Sequence, residues 1–180
     1  AHGSRLNDST CPDLAILALM RIGIEAAVVT ALDALQASYE AFDIDPDFAD
    51  TAEFCARYGF TLEESANAIL VASRKPEGIN SLCLALATTR LDVNHKVREL
   101  MDVRKLSFAS PELTREVTGM EIGGVTPFGV PAGLPTYVDA AITRLPRCIV
   151  GGGSRAMKVT LDPEVFSRMP GVTVVEGLAG

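Results

Sequence analysis

The sequence predicts a single α+β domain with a mostly antiparallel sheet, preceded by an extra helical segment. Short strand-like stretches recur from residue 39 to the C-terminal end, and helical stretches fall between them without the regular alternation of a βαβ fold. Two apolar stretches, 67–73 and 80–88, are joined by a turn too short for a crossover, so they pair antiparallel. The length of 180 residues suits one domain with one sizeable core.

In chain order, residues 12–22 and 25–38 read as two helices, with Gly23 as the breaker between them. Residues 39–45 alternate and stop at Pro46, which marks a strand. A helix over 49–58 ends at Gly59. The strand Asn67 to Ser73 turns through Arg74 to Gly78 into the strand 80–88. A helix follows from Val93 to about Met101, then a short strand at 104–108. Ser110 and Pro111 supply an N-cap and a first-turn proline for a helix that ends near Gly119. Gly123 to Gly133 holds four glycines and two prolines, the composition of a structured loop. Strands at 135–138, 147–151, 156–161 and 172–176 and a helix from Pro163 to Met169 complete the chain.

Hydrophobic residues make up 48 % of the chain and charged residues 22 %, which excludes extended disorder. No apolar run approaches the roughly 18 residues of a membrane span, and no basic segment precedes an apolar one as in a signal peptide. The expectation is a cytoplasmic protein without a membrane partner. Ala1-His2-Gly3-Ser4 reads as a cloning remnant, so residues 1–24 are set apart from a domain spanning 25–180. The four cysteines stand singly, without metal-ligand spacing, which fits free thiols in a reducing compartment. Neither a metal nor a cofactor is expected.

The net charge of −7 comes entirely from residues 1–50, which carry two basic and nine acidic side chains. Residues 51–180 are neutral, with an acid-free basic stretch of Arg144, Arg147, Arg155 and Lys158. That balance opposes tight non-specific nucleic-acid binding and leaves room for a transient encounter with a nucleic-acid end.

Several chemistries fail on spacing. Gly152-Gly153-Ser154-Arg155-Ala156 faintly resembles a nucleophile elbow, but the only histidines, His2 and His95, precede it. The aspartates at 43, 45 and 47 lack the glycine and glutamate of a calcium loop. His95 reads as a surface residue and Cys83 as core. What remains are two glycine loops, Gly123 to Gly129 and Gly151 to Arg155. Without a Cβ, their backbone N–H groups could approach a ligand closely and form a rigid rim of donors for an oxyanion. Each loop alone also fits a sharp turn between strands.

Residues 65–158 resemble the YbaK family, which includes free-standing bacterial aminoacyl-tRNA deacylases and the editing domain of some prolyl-tRNA synthetases. The matching pieces are the strand 67–72, Arg90 to Asn94, Ser107 to Ser110, and Thr118-Gly119 leading into Gly123-Gly124-Val125-Thr126-Pro127-Phe128-Gly129, followed by Val138-Asp139 and Gly151 to Arg155. The resemblance implies a mixed, mostly antiparallel, curved and barrel-like sheet surrounded by helices. It also implies hydrolysis, in trans, of the ester of a mischarged Cys-, Ala- or Ser-type aminoacyl-tRNA, in a backbone-lined pocket with a positioned water or substrate group.

On this reading Asn67 and Gly123 are catalytic. Gly124, Val125, Thr126, Pro127, Phe128, Gly152, Gly153 and Ser154 bind substrate, and Arg144, Arg155 and Lys158 contact tRNA. The pocket's size would be set by Asn67, Val125 and Phe128. The partners are the 3′ acceptor end of aminoacyl-tRNA and, in addition, an aminoacyl-tRNA synthetase. The family usually has lysine where this chain has Asn67, which keeps a non-hydrolytic aminoacyl-tRNA binding module open as the alternative. A small-molecule hydrolase or a synthetase partner on the same scaffold is a third reading.

Overall fold

The structure, a computed structural model, describes residues 14–180. It opens with one helix, α1 (Leu14–Ala34). The break expected at Gly23 does not occur. Gly23 is exposed on the helix, and a lone glycine weakens a helix by only about 1 kcal/mol without stopping it. The helix ends four residues early instead. Gln36 adopts a left-handed φ of 50°, and the Ala37 N–H returns to the Leu32 carbonyl at 3.0 Å, a Schellman-like stop. The first part of the expected helix at 12–22 lies outside the described residues.

The strands are β1 (Tyr39–Asp43), β2 (Ala66–Lys75), β3 (Glu77–Leu86), β4 (Lys105–Phe108), β5 (Thr136–Asp139), β6 (Cys148–Gly151), β7 (Met157–Leu161) and β8 (Val172–Val175). The helices after α1 are α2 (Thr51–Tyr58), α3 (Arg98–Leu100), α4 (Pro111–Thr118) and α5 (Val165–Arg168). A π-helical turn, Val93–Val97, leads into α3 in place of the regular helix expected there. Short 3-10 turns occupy Pro46–Phe48 and Ile142–Arg144. The turn chemistry is as read: Ser110 Oγ accepts from the Leu113 N–H at 3.2 Å, and Gly59 and Gly119 end α2 and α4 with φ of 76° and 74°.

The strands form two open sheets, in the orders β1-β7-β6 and β4-β2-β3-β5-β8. Pairing is antiparallel except for β3 with β5 and β5 with β8. The mixed, curved, mostly antiparallel architecture is therefore present, without closure into a barrel. The sheets meet where Ser65, just before β2, bridges Ile149 of β6.

Both faces of the larger sheet are covered, so its central strands are apolar at consecutive positions. Leu70, Leu82 and Leu84 face a core containing Val28 and Leu32 of α1 and Phe166 of α5. Their neighbours Val71, Cys83 and Ala85 face a second core with Val97, Leu106 and Leu178. Cys83 is a core residue, its thiol pushed up to about 12 by burial. A third cluster, Ile44, Ala49, Phe54, Cys55 and Ile149, sits beneath α2 next to the junction of the sheets. His95 is on the surface, its ring Nδ1 3.1 Å from the Asp92 carboxylate.

Candidate active site

At the junction of the sheets the first half of β2 and Lys158, near the start of β7, line a cleft of about 390 Å³. Its lining combines Asp50 and Thr51 at the start of α2 with Asn67, Ile69 and Leu70 of β2. Phe108 and Ala109 follow β4, and Gly123, Val125, Gly151 and Lys158 complete the far wall. Apolar Phe108 and Ile122 are at least half exposed and form its rim.

The two glycine loops are one packed unit. The Gly153 N–H donates to the Gly124 carbonyl at 2.8 Å. A Cβ on Gly124 would collide with the Ser154 backbone, and one on Gly151 with the carbonyls of Gly124 and Val125. Gly123 has φ of 95°, and a Cβ there would lie 2.6 Å from the Arg155 guanidinium. Arg155 clamps the outer side, donating to the Ile122 carbonyl at 2.9 Å, the Pro46 carbonyl at 3.0 Å and Asp50 Oδ1 at 3.2 Å.

This packing alters the expected rim of backbone donors. The Gly124 N–H is taken by the Glu121 carbonyl at 2.9 Å, the Gly152 N–H by the Met157 carbonyl at 3.0 Å, and the Gly153 N–H by Gly124. Three of the glycine donors are thus spent within the protein, and one of them, from Gly153, ties the two loops together.

Of the residues named from sequence, Asn67, Gly123, Val125 and Lys158 come together in the cleft. Gly124, Gly152 and Gly153 lie behind it, in the contact between the loops. Ser154 turns away and hydrogen-bonds the Glu25 carboxylate of α1. Thr126 and Phe128 run into the core, and the Phe128 ring stacks on Phe166 with centroids 5.9 Å apart. Phe128 therefore does not set the cleft's size, because an aromatic side chain gains more by burial in the main core than at a polar mouth. Pro127 lines a separate surface groove against α1. Arg144 is exposed and paired with Glu176, outside the cleft.

Lys158, expected as a tRNA contact, stands inside. It is only 5 % exposed, and its ammonium donates to the Ala49 carbonyl at 2.8 Å and the Gly123 carbonyl at 2.9 Å. The Phe54 ring lies 5.3 Å from it. Burial pulls its pKa down to about 8, opposed by the attraction of Asp50. Asn67 is half-buried at the second position of β2, and its Oδ1 accepts from Thr51 Oγ1 at 2.6 Å. With that oxygen engaged, the group Asn67 can offer a ligand is its amide NH₂. The sequence reading missed Asp50, Thr51, Phe108 and Ile122. A lysine between apolar neighbours in a strand was the one available sign that Lys158 is internal.

Among the described residues no group of three or more His, Cys, Asp or Glu is placed to hold a metal ion, and no helix is long and apolar enough to cross a membrane.

The family model of the aminoacyl-tRNA editing domain matches residues 45–169. The uncharacterized protein YwhH of Bacillus subtilis (strain 168) is 34 % identical over 86 residues, 48 % of this chain and 54 % of that protein, so the match spans about half of the relative's length. A solved structure described as a candidate trans-editing enzyme for prolyl tRNA synthetase superposes with a TM-score of 0.70 at 24 % identity, covering 84 % of this chain and 94 % of that one. The hypothetical protein APE2540 superposes with a TM-score of 0.73 at 21 % identity, over 83 % and 97 %. At these identities the two structures establish likeness of fold.

Proposed function

The chain belongs to the aminoacyl-tRNA editing domain family, and from that premise we propose that it is a deacylase acting in trans on mischarged aminoacyl-tRNA, with residues 25–180 as its catalytic domain. The observation that carries this reading is the composition of the cleft. It holds hydrogen-bond donors, one carboxylate and a close backbone wall, but neither a histidine nor a serine or cysteine nucleophile among its lining residues. An activated ester needs no more than that: a positioned water, stabilisation of the developing oxyanion and exclusion of bulk solvent.

A volume of about 390 Å³ lies near the small end for ligand pockets, suited to a small aminoacyl group such as Ala, Cys or Ser and to part of the terminal adenosine. Asp50 complements the substrate's α-ammonium. Gly123, Val125 and Gly151 bring bare backbone or a short side chain against the ester. The exposed Phe108 and Ile122 offer apolar surface to the terminal base. Arg155, on the outer side of the cleft, and the exposed Arg144 beyond it are the proposed contacts of the acceptor end, and an aminoacyl-tRNA synthetase is a further partner. Such work belongs in the cytoplasm.

The second reading, binding without hydrolysis, is favoured by the neutral Asn67. One experiment separates the two: incubate purified protein with Ala-tRNA(Pro), Cys-tRNA(Pro) and serine-charged tRNAs against buffer alone. Loss of the aminoacyl group above the buffer rate from at least one of them is expected. Retention of all of them, together with binding, would establish the module instead.

A further inference from the structure

Two findings leave the cleft's chemistry incomplete. An ester carbonyl that becomes an oxyanion needs donors, yet the N–H groups of Gly124, Gly152 and Gly153 already donate to the Glu121, Met157 and Gly124 carbonyls. Lys158, meanwhile, is a buried cation on the cleft wall with two carbonyl acceptors, although an ammonium has three N–H donors. It is the only basic side chain among the lining residues. A cation kept out of water without a direct carboxylate contact is costly, and such an arrangement is expected where the charge acts on a ligand.

We infer that Lys158 is a catalytic residue of the proposed deacylation: its third N–H, with the Asn67 amide on the facing strand, holds the ester carbonyl oxygen as it becomes an oxyanion. The inference rests on the deacylase reading and adds the source of transition-state stabilisation. The water oxygen bonds to the carbonyl carbon while the C=O π pair moves onto the oxygen held by Lys158 and Asn67. Collapse of this adduct breaks the bond from carbon to the ribose oxygen, which takes one proton of the added water and leaves as a hydroxyl. The amino acid departs as a carboxylate, and the second water proton goes to solvent. Lys158 keeps its proton throughout.

The two carbonyl bonds also give Lys158 a positioning effect, because they fix Gly123 and Ala49 on either side of the ammonium. The charged or titratable groups around it are Asp50 ahead of α2, Cys55 within α2 and Arg155 on the loop before β7. Asp50 and Arg155 are bonded to each other. An oxyanion donor must be charged, so the enzyme-dependent rate should fall as pH rises through the titration of Lys158, near pH 8.

The test measures wild type, Lys158→Met and Lys158→Arg from pH 6.5 to 9.5 on the preferred aminoacyl-tRNA, with the buffer rate subtracted and folding checked by thermal melting. For folded K158M a loss in kcat of at least about a hundredfold is expected, the scale of removing an oxyanion donor. K158R, which cannot deprotonate in this range, should lack the alkaline fall of the wild type. A folded K158M within twofold of wild type overturns the role of Lys158 and leaves the deacylase reading intact. Should K158M fail to fold, the same alkaline fall in K158R and wild type overturns the role. A wild type that hydrolyses no aminoacyl-tRNA overturns the deacylase reading and this inference with it.

Discussion

Asn67 and Gly151 show how differently single residues serve this cleft. Asn67 presents a polar group to the cleft while Thr51 steadies its oxygen. Asn67→Ala should lower the deacylation rate at least tenfold, about 1.4 kcal/mol of transition-state stabilisation, with the melting temperature little changed; a wild-type rate would make Asn67 structural. Gly151 acts by having no side chain. In Gly151→Ala the methyl group would enter the backbone of the first glycine loop, and a loss of about 1–3 kcal/mol is expected in urea unfolding. Both residues were legible in sequence, Asn67 as a strand start and Gly151 as part of a glycine loop. Lys158 and Phe128 were assigned to the wrong surroundings for one reason. The sequence shows which residues adjoin them along the chain, whereas their environment is made by Ala49 and Phe54 in one case and Phe166 in the other. A basic residue with no acid near it in sequence looks like surface until the fold brings a carbonyl pair to it.

The elements were the most legible level, because caps and turns are local. Ser110, Pro111, Gly59 and Gly119 mark helix ends through the backbone geometry they permit, and the structure uses each in that way. Ser110→Ala should cost about 1 kcal/mol by removing the bond to the Leu113 N–H, measurable as a lower urea midpoint. Gly23 misled because a glycine signals a break only when the flanking helix cannot tolerate it. α1 is packed through Val28 and Leu32 on its later turns, and that burial carries the helix past Gly23. Nothing lies within 4 Å of the place a Cβ would occupy there. Gly23→Ala should therefore stabilise the protein by about 0.5–1 kcal/mol, seen as a higher melting temperature.

For the whole molecule, the antiparallel hairpin of β2 and β3 was readable and the parallel pairings of β5 were not. The partners of β5 lie far along the chain on both sides, and no local pattern specifies them. The division into two sheets escaped for the same reason. Stability against pH is also a property of the assembled molecule. The folded pKa of Lys158 is depressed to about 8 from 10.5, so above pH 8 the folded form releases a proton that the unfolded chain keeps, and stability rises with pH. Cys83 and Cys148 act in the opposite sense. Their folded values are raised to about 12, so above the unfolded value of 9.0 the unfolded chain loses protons that the folded form keeps, and stability falls. The urea midpoint should therefore rise from pH 7.5 to a maximum near pH 9 and fall beyond it. In K158M the rise should vanish and the fall persist. Glu64, held below its ordinary value by Arg147, adds stability that is present at neutral pH and lost as acid protonates it.

The span of the cleft along the chain has a consequence for how the protein is made. Its lining runs from Asp50 to Lys158, and among the described residues β1 pairs only with β7, with Tyr39 opposite Leu161. Synthesis proceeds from the N-terminal side at about 5–20 residues per second. Until β7 is made, the nascent chain has one wall of the cleft and lacks the other. Bringing such distant segments together carries a loop-closure cost and makes folding slow compared with a chain of local contacts. The complete cleft therefore forms only after β7 is made, and any product ending before β7 lacks both Lys158 and the strand that aligns β1. The order of synthesis therefore lays down one wall of the cleft well before the wall that must close it.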